Sequence, residues 1–180
     1  NVTVGLVHNF FPASRLFSAT TSAGLQRERR EQGSSSIVAQ NLVAGQENID
    51  QAAVTLPFEQ RQLTRDFALF AQEEVLTLDD RLLLTAGLRA ERSTNNGDFE
   101  KFYIFPKASA SYRLPLSIPS VEEFKLRFAV GQAGNQPLYG LKFISLLTGV
   151  YGNRTGYTAN FVQGDPDIKP EITTEFEGGA

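Results

Sequence analysis

The stretch RLLLTAGLRAER (residues 81–92) decides the fold class, because its apolar and polar residues alternate. Successive side chains of a β-strand point to opposite faces, so a period of two predicts a strand with two chemically different faces. One face then carries Leu82, Leu84, Ala86, Leu88 and Ala90, and the other carries Leu83, Thr85, Gly87, Arg89 and Glu91.

Two further segments alternate in the same way, FYIFPKASASYRL (residues 102–114) and EFKLRFAVGQ (residues 123–132). All three reach the roughly 9–11 residues that a tilted strand needs to cross a bilayer, whereas a typical globular strand has about 5–6. In this assignment of faces, the apolar faces of the three segments carry no charged side chain. The opposite faces carry the candidate lumen-facing residues Arg89, Glu91, Lys107, Arg113, Lys125 and Arg127. This pattern favours membrane-spanning strands with one face toward lipid and the other toward a wet lumen.

The connections between the predicted strands alternate in length. Residues 11–14, 78–81 and 115–122 form short connections, and residues 28–59, 93–101 and 134–170 form longer ones. Outer-membrane barrels have short periplasmic turns and longer extracellular loops, so we expect the longer connections outside the cell. A soluble sandwich has no reason to show this asymmetry.

The strand predicted at residues 62–78 has the least regular pattern. Leu63, Phe67, Leu69, Ala71 and Val75 share a face, but Arg65 and Glu73 join them. We expect Glu73 to lie near a membrane interface or to be displaced by a bulge. We expect Tyr103, Tyr112 and Phe124, near strand ends, to form part of an aromatic girdle.

Four blocks of the sequence resemble the barrel of TonB-dependent outer-membrane receptors, with the SusC/RagA branch as the closest likeness. They begin at residues 80, 103, 124 and 164, and their most specific pieces are VGQAGNQP (residues 130–137) and PDIKPE (residues 166–171). The resemblance implies an antiparallel transmembrane β-barrel in the bacterial outer membrane, of which residues 1–180 would form about seven strands within one domain.

The same resemblance implies active uptake of a nutrient such as an oligosaccharide, a peptide or a chelated metal. Its implied partners are outer-membrane lipid, the nutrient, a SusD-like surface lipoprotein and the TonB energy-coupling complex. Neither a plug domain nor a TonB-contacting motif is visible, and the sequence contains no Met. We therefore expect a piece of a longer receptor whose plug and remaining strands lie elsewhere. The substrate does not follow from these residues.

Composition excludes several classes of function. The net charge of -3 and the pI near 5.3 show no excess of positive charge of the kind that binds nucleic acid. The absence of Cys removes thiolate metal sites and cysteine nucleophiles. No convergent acid, base and nucleophile is apparent, so we expect neither an enzyme nor a cofactor.

Two minor candidate sites have structural interpretations that we favour. His8 is the single histidine, on the face assigned to lipid and near a short turn, so it lacks the partners of a catalytic or metal site. Asp165, Asp167 and Glu171 offer oxygen ligands for calcium, but they lack the EF-hand spacing, and we expect ordinary loop acids.

Two other classes of protein stay open for the whole chain, a passive porin-like barrel and a soluble β-sandwich binding module.

Overall fold

A computed structural model describes residues 1–12, 16–116 and 122–180. Within these residues the chain forms nine strands and a short 3-10 turn at Ile49–Gln51. The strands are β1 (Val2–Phe10), β2 (Phe17–Gln40), β3 (Val54–Thr77), β4 (Leu82–Ser93), β5 (Tyr103–Leu114), β6 (Phe124–Asn135), β7 (Leu146–Tyr151), β8 (Arg154–Ala159) and β9 (Glu171–Gly179). The short connections predicted at residues 11–14 and 115–122 lie partly outside the described residues.

Seven of these strands form one sheet in the order β1-β2-β3-β4-β5-β6-β9. The ladders β1–β2, β3–β4, β4–β5, β5–β6 and β6–β9 are antiparallel. Because neighbours in the sheet are also consecutive in the chain up to β6, short hairpin connections suffice to build most of it. The predicted all-β class and the sheet of about seven strands are confirmed.

The register brings the predicted faces of neighbouring strands together. Ala86 pairs with Ala108, which pairs with Val130, and these residues define what we call the apolar face. Thr85 pairs with Ser109, and the side of the sheet on which they lie is the polar face. The β3–β4 ladder is continuous from Asp66 to Thr77, so no bulge displaces Glu73, and it shares the apolar face with its partner Ala86.

Aromatic residues mark the end of the apolar face nearest the short turns. Phe10 and Phe17 have ring centroids 6.0 Å apart at the ends of β1 and β2. Tyr112 pairs with Leu82 at the beginning of β4, and Phe124 begins β6. Tyr112 and Phe124 therefore lie at this end of the apolar face, and their role in a girdle stays a prediction. Tyr103 pairs with Glu91 and so lies on the polar face, where it cannot contribute.

An arginine and two aromatic rings mark the opposite end of this face. The guanidinium of Arg92 lies 5.6 Å from the ring centroid of Phe67 and 5.2 Å from that of Phe102. The strand from Leu82 to Arg92 is about 33 Å long, which a tilt of about 45° reduces to about 23 Å. That height is close to the apolar band of about 25 Å on outer-membrane barrels.

The structure corrects the long polar connection predicted at residues 28–59. β2 and β3 each contain 24 residues, roughly 80 Å of strand and far more than a bilayer crossing needs. Their outer parts, Arg29–Thr64, form a compact unit separate from the unit of Asn1–Glu28 and Arg65–Ala180. Most of what was predicted as a long connection is therefore a β-ribbon, closed by residues 41–53.

A second correction concerns the long connection at residues 134–170. It contains β7 and β8, which form a separate two-stranded antiparallel sheet. The strands are joined by Gly152 and Asn153, and Gly152 has a positive φ of 63°, as a tight hairpin turn requires. No helix among the described residues is long and apolar enough to cross a membrane.

The seven-stranded sheet has almost no internal core of its own. In the described part of the chain, Ala68 and Phe105 are the only buried hydrophobic residues. Apolar-face side chains such as Phe128 and Phe176 are 54% and 71% exposed. The sheet therefore presents its large hydrophobic side chains outward, as a surface that something else must cover.

Candidate functional site

The six residues predicted to face a lumen all lie on the polar face. Arg89 and Glu91 belong to β4, Lys107 and Arg113 to β5, and Lys125 and Arg127 to β6. The ladders place Arg113 opposite Lys125 and Arg127 opposite Ser111. Their common face follows from the register.

Arg89 and Glu91 form the most organised contact among these six residues. The Arg89 Nε donates to a Glu91 carboxylate oxygen at 2.8 Å, and its Nη2 donates to the Gln26 side-chain oxygen at 3.2 Å. Glu91 is largely shielded, whereas Arg89 is about two-fifths exposed. Arg89 and Glu91 both belong to β4, and the Arg89–Gln26 bond connects β4 with β2. We expect the ion pair to contribute no more than about 1 kcal/mol because the arginine is solvated.

Small residues separate the polar side chains in one row across five strands. In register, Gln72 lies beside Gly87, Gly87 beside Lys107, Lys107 beside Gly131 and Gly131 beside Glu175. The Lys107 side chain covers Gly87, since a Cβ at position 87 would lie 2.8 Å from the lysine Cε. Gly131 then leaves a gap between Lys107 and Glu175, whose backbones are about 10 Å apart at ordinary strand spacing.

The next row completes a shallow depression on the polar face. Thr85, Ser109, Ala129 and Glu177 are successive partners in that row. The depression is lined by Gln72, Thr85, Lys107, Ser109, Ala129, Gly131, Glu175 and Glu177. Its floor offers hydroxyl groups, one rim offers an ammonium group, and the other offers two carboxylates. Such a surface can bind a polar ligand that carries both charges.

The other cations lie nearer the short-turn end. Arg113 and Lys125 are directly opposite, an arrangement of like charges that is unfavourable across strands. Glu123 offsets it, because its carboxylate lies 3.5 Å from Arg113 Nε and both side chains are more than half exposed. Arg127 is exposed and makes no ion pair within the described residues.

Sequence reasoning missed the acidic side of this site. Glu171, Thr173, Glu175 and Glu177 alternate along β9, and the β6–β9 register places them on the polar face. The same period-two signal that identified β4 was present in EITTEFEGG (residues 171–179). Gln26 and Gln72 could not have been found in this way, because their contacts depend on strand pairing.

The connections at the far end of the sheet form a separate ordered junction. Lys142 Nζ donates to the carbonyl oxygens of Thr94 and Asn96, at 2.6 and 3.1 Å. Its ammonium also lies 5.6 Å from the ring centroid of Phe99 and 5.2 Å from that of Phe143. Lys142 thereby joins residues 136–170 to the β4–β5 connection.

The acidic residues considered for calcium have local roles in this junction. An Asp165 carboxylate oxygen accepts a 2.9 Å hydrogen bond from the Asp167 backbone N–H. The Ile168 N–H donates to the Asp165 carbonyl at 3.1 Å. Glu171 begins β9, opposite Asn135. Asp165 therefore stabilises a turn leading into β9.

The comparison with protein families decides the identity of the fold. Residues 3–180 match the family described as TonB dependent receptor-like, beta-barrel. The chain belongs to this family. Membership supports the sequence resemblance to TonB-dependent receptors, and it removes the soluble sandwich as an interpretation of the alternating strands. No curated protein matches the chain.

Solved structures agree with the family at the level of the fold. Two of them are described as the RagAB peptide transporter and as the RagAB peptide importer in a closed-closed state. Their TM-scores are 0.76 and 0.74, each at 14% identity. A third, the importer in an open-open state, has a TM-score of 0.72 at 14% identity. Each alignment covers 98% of this chain and 20% of the other. The chain thus spans about a fifth of these RagAB chains.

Proposed function

We propose that this chain forms a sector of the wall of a TonB-dependent uptake barrel in the bacterial outer membrane. The apolar face contacts lipid. The polar face, which carries the depression and the six charged residues predicted to face a lumen, lines that lumen. A plug domain and the remaining strands belong to other parts of the same receptor. The observation that carries this proposal is the height of the apolar face, about 23 Å between its aromatic end and Arg92 at the estimated strand tilt.

The charges of the polar face indicate the class of cargo. A polar nutrient carrying both an amine and a carboxylate could contact Lys107 on one rim of the depression and Glu175 on the other. A peptide has this chemistry, and the RagAB structures are described as peptide transporters. Peptide uptake is therefore the first activity to test, ahead of an oligosaccharide or a chelated metal. A SusD-like lipoprotein on the extracellular side is the proposed partner in capture.

Energy dependence separates this function from that of a passive porin-like barrel. Cells producing the whole receptor should accumulate a labelled oligopeptide mixture only when the TonB complex is intact. Accumulation that is equal with and without TonB would contradict active uptake.

A charge reversal tests whether the polar face is part of the pathway. Lys107→Glu should slow uptake severalfold while the amount of assembled receptor stays normal. Lys101→Glu is the matched control, because Lys101 is exposed in the β4–β5 connection. Equal uptake by the two variants would remove Lys107 and its depression from the pathway.

A further inference from the structure

A second depression on the polar face adjoins the one between Lys107 and Glu175. It lies nearer the short turns, and its polar-face lining consists of Ser109, Ser111, Arg127, Ala129, Glu177 and Gly179. Ser109, Ala129 and Glu177 line both depressions. The two depressions therefore form one groove across β5, β6 and β9, and Glu177 is the charged residue that they share.

Arg127 is a cation in this groove that no neighbouring residue neutralises. Its ladder partners are Ser111 in β5 and Gly179 in β9, and neither of them carries a charged side chain. Arg127 is exposed and forms no ion pair within the described residues. Because Gly179 has no side chain, the space on the β9 side of Arg127 is open. A guanidinium in such a position can hold a carboxylate by two parallel hydrogen bonds.

The hydroxyl group of Ser111 also lacks a partner. Its oxygen atom is buried, and the described residues provide no hydrogen bond to it. Buried side-chain polar atoms in native proteins nearly always have a hydrogen-bond partner, so an unpaired one points to a group from outside the sheet. Ser111 is directly opposite Arg127. A carboxylate bound between these two residues can accept a hydrogen bond from each of them.

The groove places an acidic residue between two cationic ones. Lys107 is opposite Gly131, and Arg127 lies four residues before Gly131 in β6, which is about 14 Å nearer the short turns. Glu177 is opposite Ala129, midway between those two rows. A zwitterionic ligand that keeps its amine at Glu177 can therefore place its carboxylate either at Lys107 or at Arg127.

We propose that Arg127 and Ser111 form a second carboxylate subsite, to which a peptide moves from Lys107 while Glu177 keeps its amine. This inference rests on the proposed function, with the polar face toward the lumen and the short turns on the periplasmic side, so the move carries the cargo toward the periplasm. Each step exchanges one ion pair for another. Exposed ion pairs are weak, and transfer along a pathway requires several such sites, because a single strong site would retain its cargo.

The kinetics of uptake separate the two subsites. In cells producing the whole receptor, Lys107→Gln should raise the apparent KM for TonB-dependent uptake of labelled trialanine severalfold, because the carboxylate binds there first. Arg127→Gln should instead lower the maximal rate severalfold with KM unchanged, since the carboxylate meets Arg127 only after binding. Arg127→Lys keeps the charge and should recover most of the rate. Lys101→Gln, which removes an exposed charge from the β4–β5 connection, is the matched control and should change neither quantity.

The C-terminal amide of trialanine tests whether Arg127 acts on the carboxylate. This peptide has no carboxylate, so the wild type and Arg127→Gln should take it up at the same low rate. An arginine with a purely structural role would slow the uptake of both peptides by the same factor. Rates are compared per assembled receptor, which heat-modifiable migration measures. Unchanged uptake of trialanine by Arg127→Gln, or equal slowing of the two peptides, would overturn the proposal.

Uptake by the wild type separates this inference from the proposed function. If an oligopeptide mixture accumulated equally with and without TonB, the proposed function would fail and the second subsite with it. TonB-dependent uptake of the mixture, without a difference between the wild type and Arg127→Gln toward trialanine, would leave the proposed function intact and overturn the second subsite.

Discussion

The backbone N–H of Gly97 donates a 2.8 Å hydrogen bond to the carbonyl oxygen of Ile168. This bond joins the β4–β5 connection to the segment that leads into β9. The approach is close enough that a Cβ at position 97 would lie 2.0 Å from the carbonyl oxygen of Pro166. Gly97→Ala should therefore separate the two segments and increase protease cleavage within residues 136–170 on whole cells. Gly33→Ala is the control, since a Cβ there meets nothing within 4 Å. Equal cleavage of the Gly97→Ala and Gly33→Ala variants would show that the contact at Gly97 is not needed to order residues 136–170.

Lys142 gives a second, independent test of the same junction. Lys142→Met removes the donor to two carbonyl oxygens but keeps a long side chain between Phe99 and Phe143. Loss of such charge-assisted bonds should destabilise the junction by about 1.5 kcal/mol, measured as faster amide exchange at Gly97 and Asp165. Lys101→Met, which removes an exposed lysine beside Tyr103, should leave those amides unchanged. Faster exchange in both variants would contradict the specific role of Lys142.

The Phe105 ring occupies the space next to Gly134 in the sheet. Phe105 is 5% exposed, and a Cβ at position 134 would lie 2.2 Å from its ring Cζ. Gly134→Ala should lower the amount of assembled receptor, and Phe105→Leu in the same chain should recover part of it by vacating that space. Heat-modifiable migration measures assembly. If Gly134→Ala alone assembled normally, the ring would not constrain this position.

The regular part of the sheet was predictable because apolar and polar residues alternate along it with the period of a strand. β4, β5 and β6 alternate between apolar and polar residues over most of their length, and the register follows once the faces are known. Glu73 was placed on the correct face by the same argument. The hydrogen bond that its carboxylate accepts from the Thr21 hydroxyl was not predictable, because nothing in either residue indicates which strands are neighbours.

The extended ribbon was missed for a physical reason. In QRERREQGSSS (residues 26–36) both faces are polar, so the strand has no apolar period to detect. This part of β2 is ordered instead by its pairing with β3. The β7–β8 hairpin did carry a local signal, since Gly152 and Asn153 form a two-residue turn between short strands.

The topology of the connections can be tested on whole cells. Protease or epitope labels should reach residues 41–53 and 136–170, which close the long ribbon and carry the β7–β8 hairpin. The turn at residues 78–81 should be labelled only after the outer membrane is breached. Labelling of that turn on intact cells would mean that the sheet has the opposite orientation in the membrane.

The 180 residues on their own should not form a stable monomer in buffer. β1 and β9 are both edges of the sheet, and unpaired strand edges promote aggregation in water. The described residues also bury too few hydrophobic side chains to stabilise the sheet alone. Chromatography and calorimetry of the isolated chain should show aggregates without a cooperative transition. A sharp, reversible transition of a monomer would contradict this view of the sheet as part of a wall.

The orientation of the two faces is the central claim, and paired arginine substitutions in β4 test it most directly. Ala86 lies on the apolar face and Thr85, its neighbour in the chain, on the polar face. An arginine facing lipid near the middle of the bilayer costs about 2–4 kcal/mol, and far less in a wet lumen. Ala86→Arg should therefore reduce assembly of the whole receptor much more than Thr85→Arg, measured by heat-modifiable migration. Equal assembly of the two variants, or a larger defect for Thr85→Arg, would contradict the assignment of the apolar face to lipid.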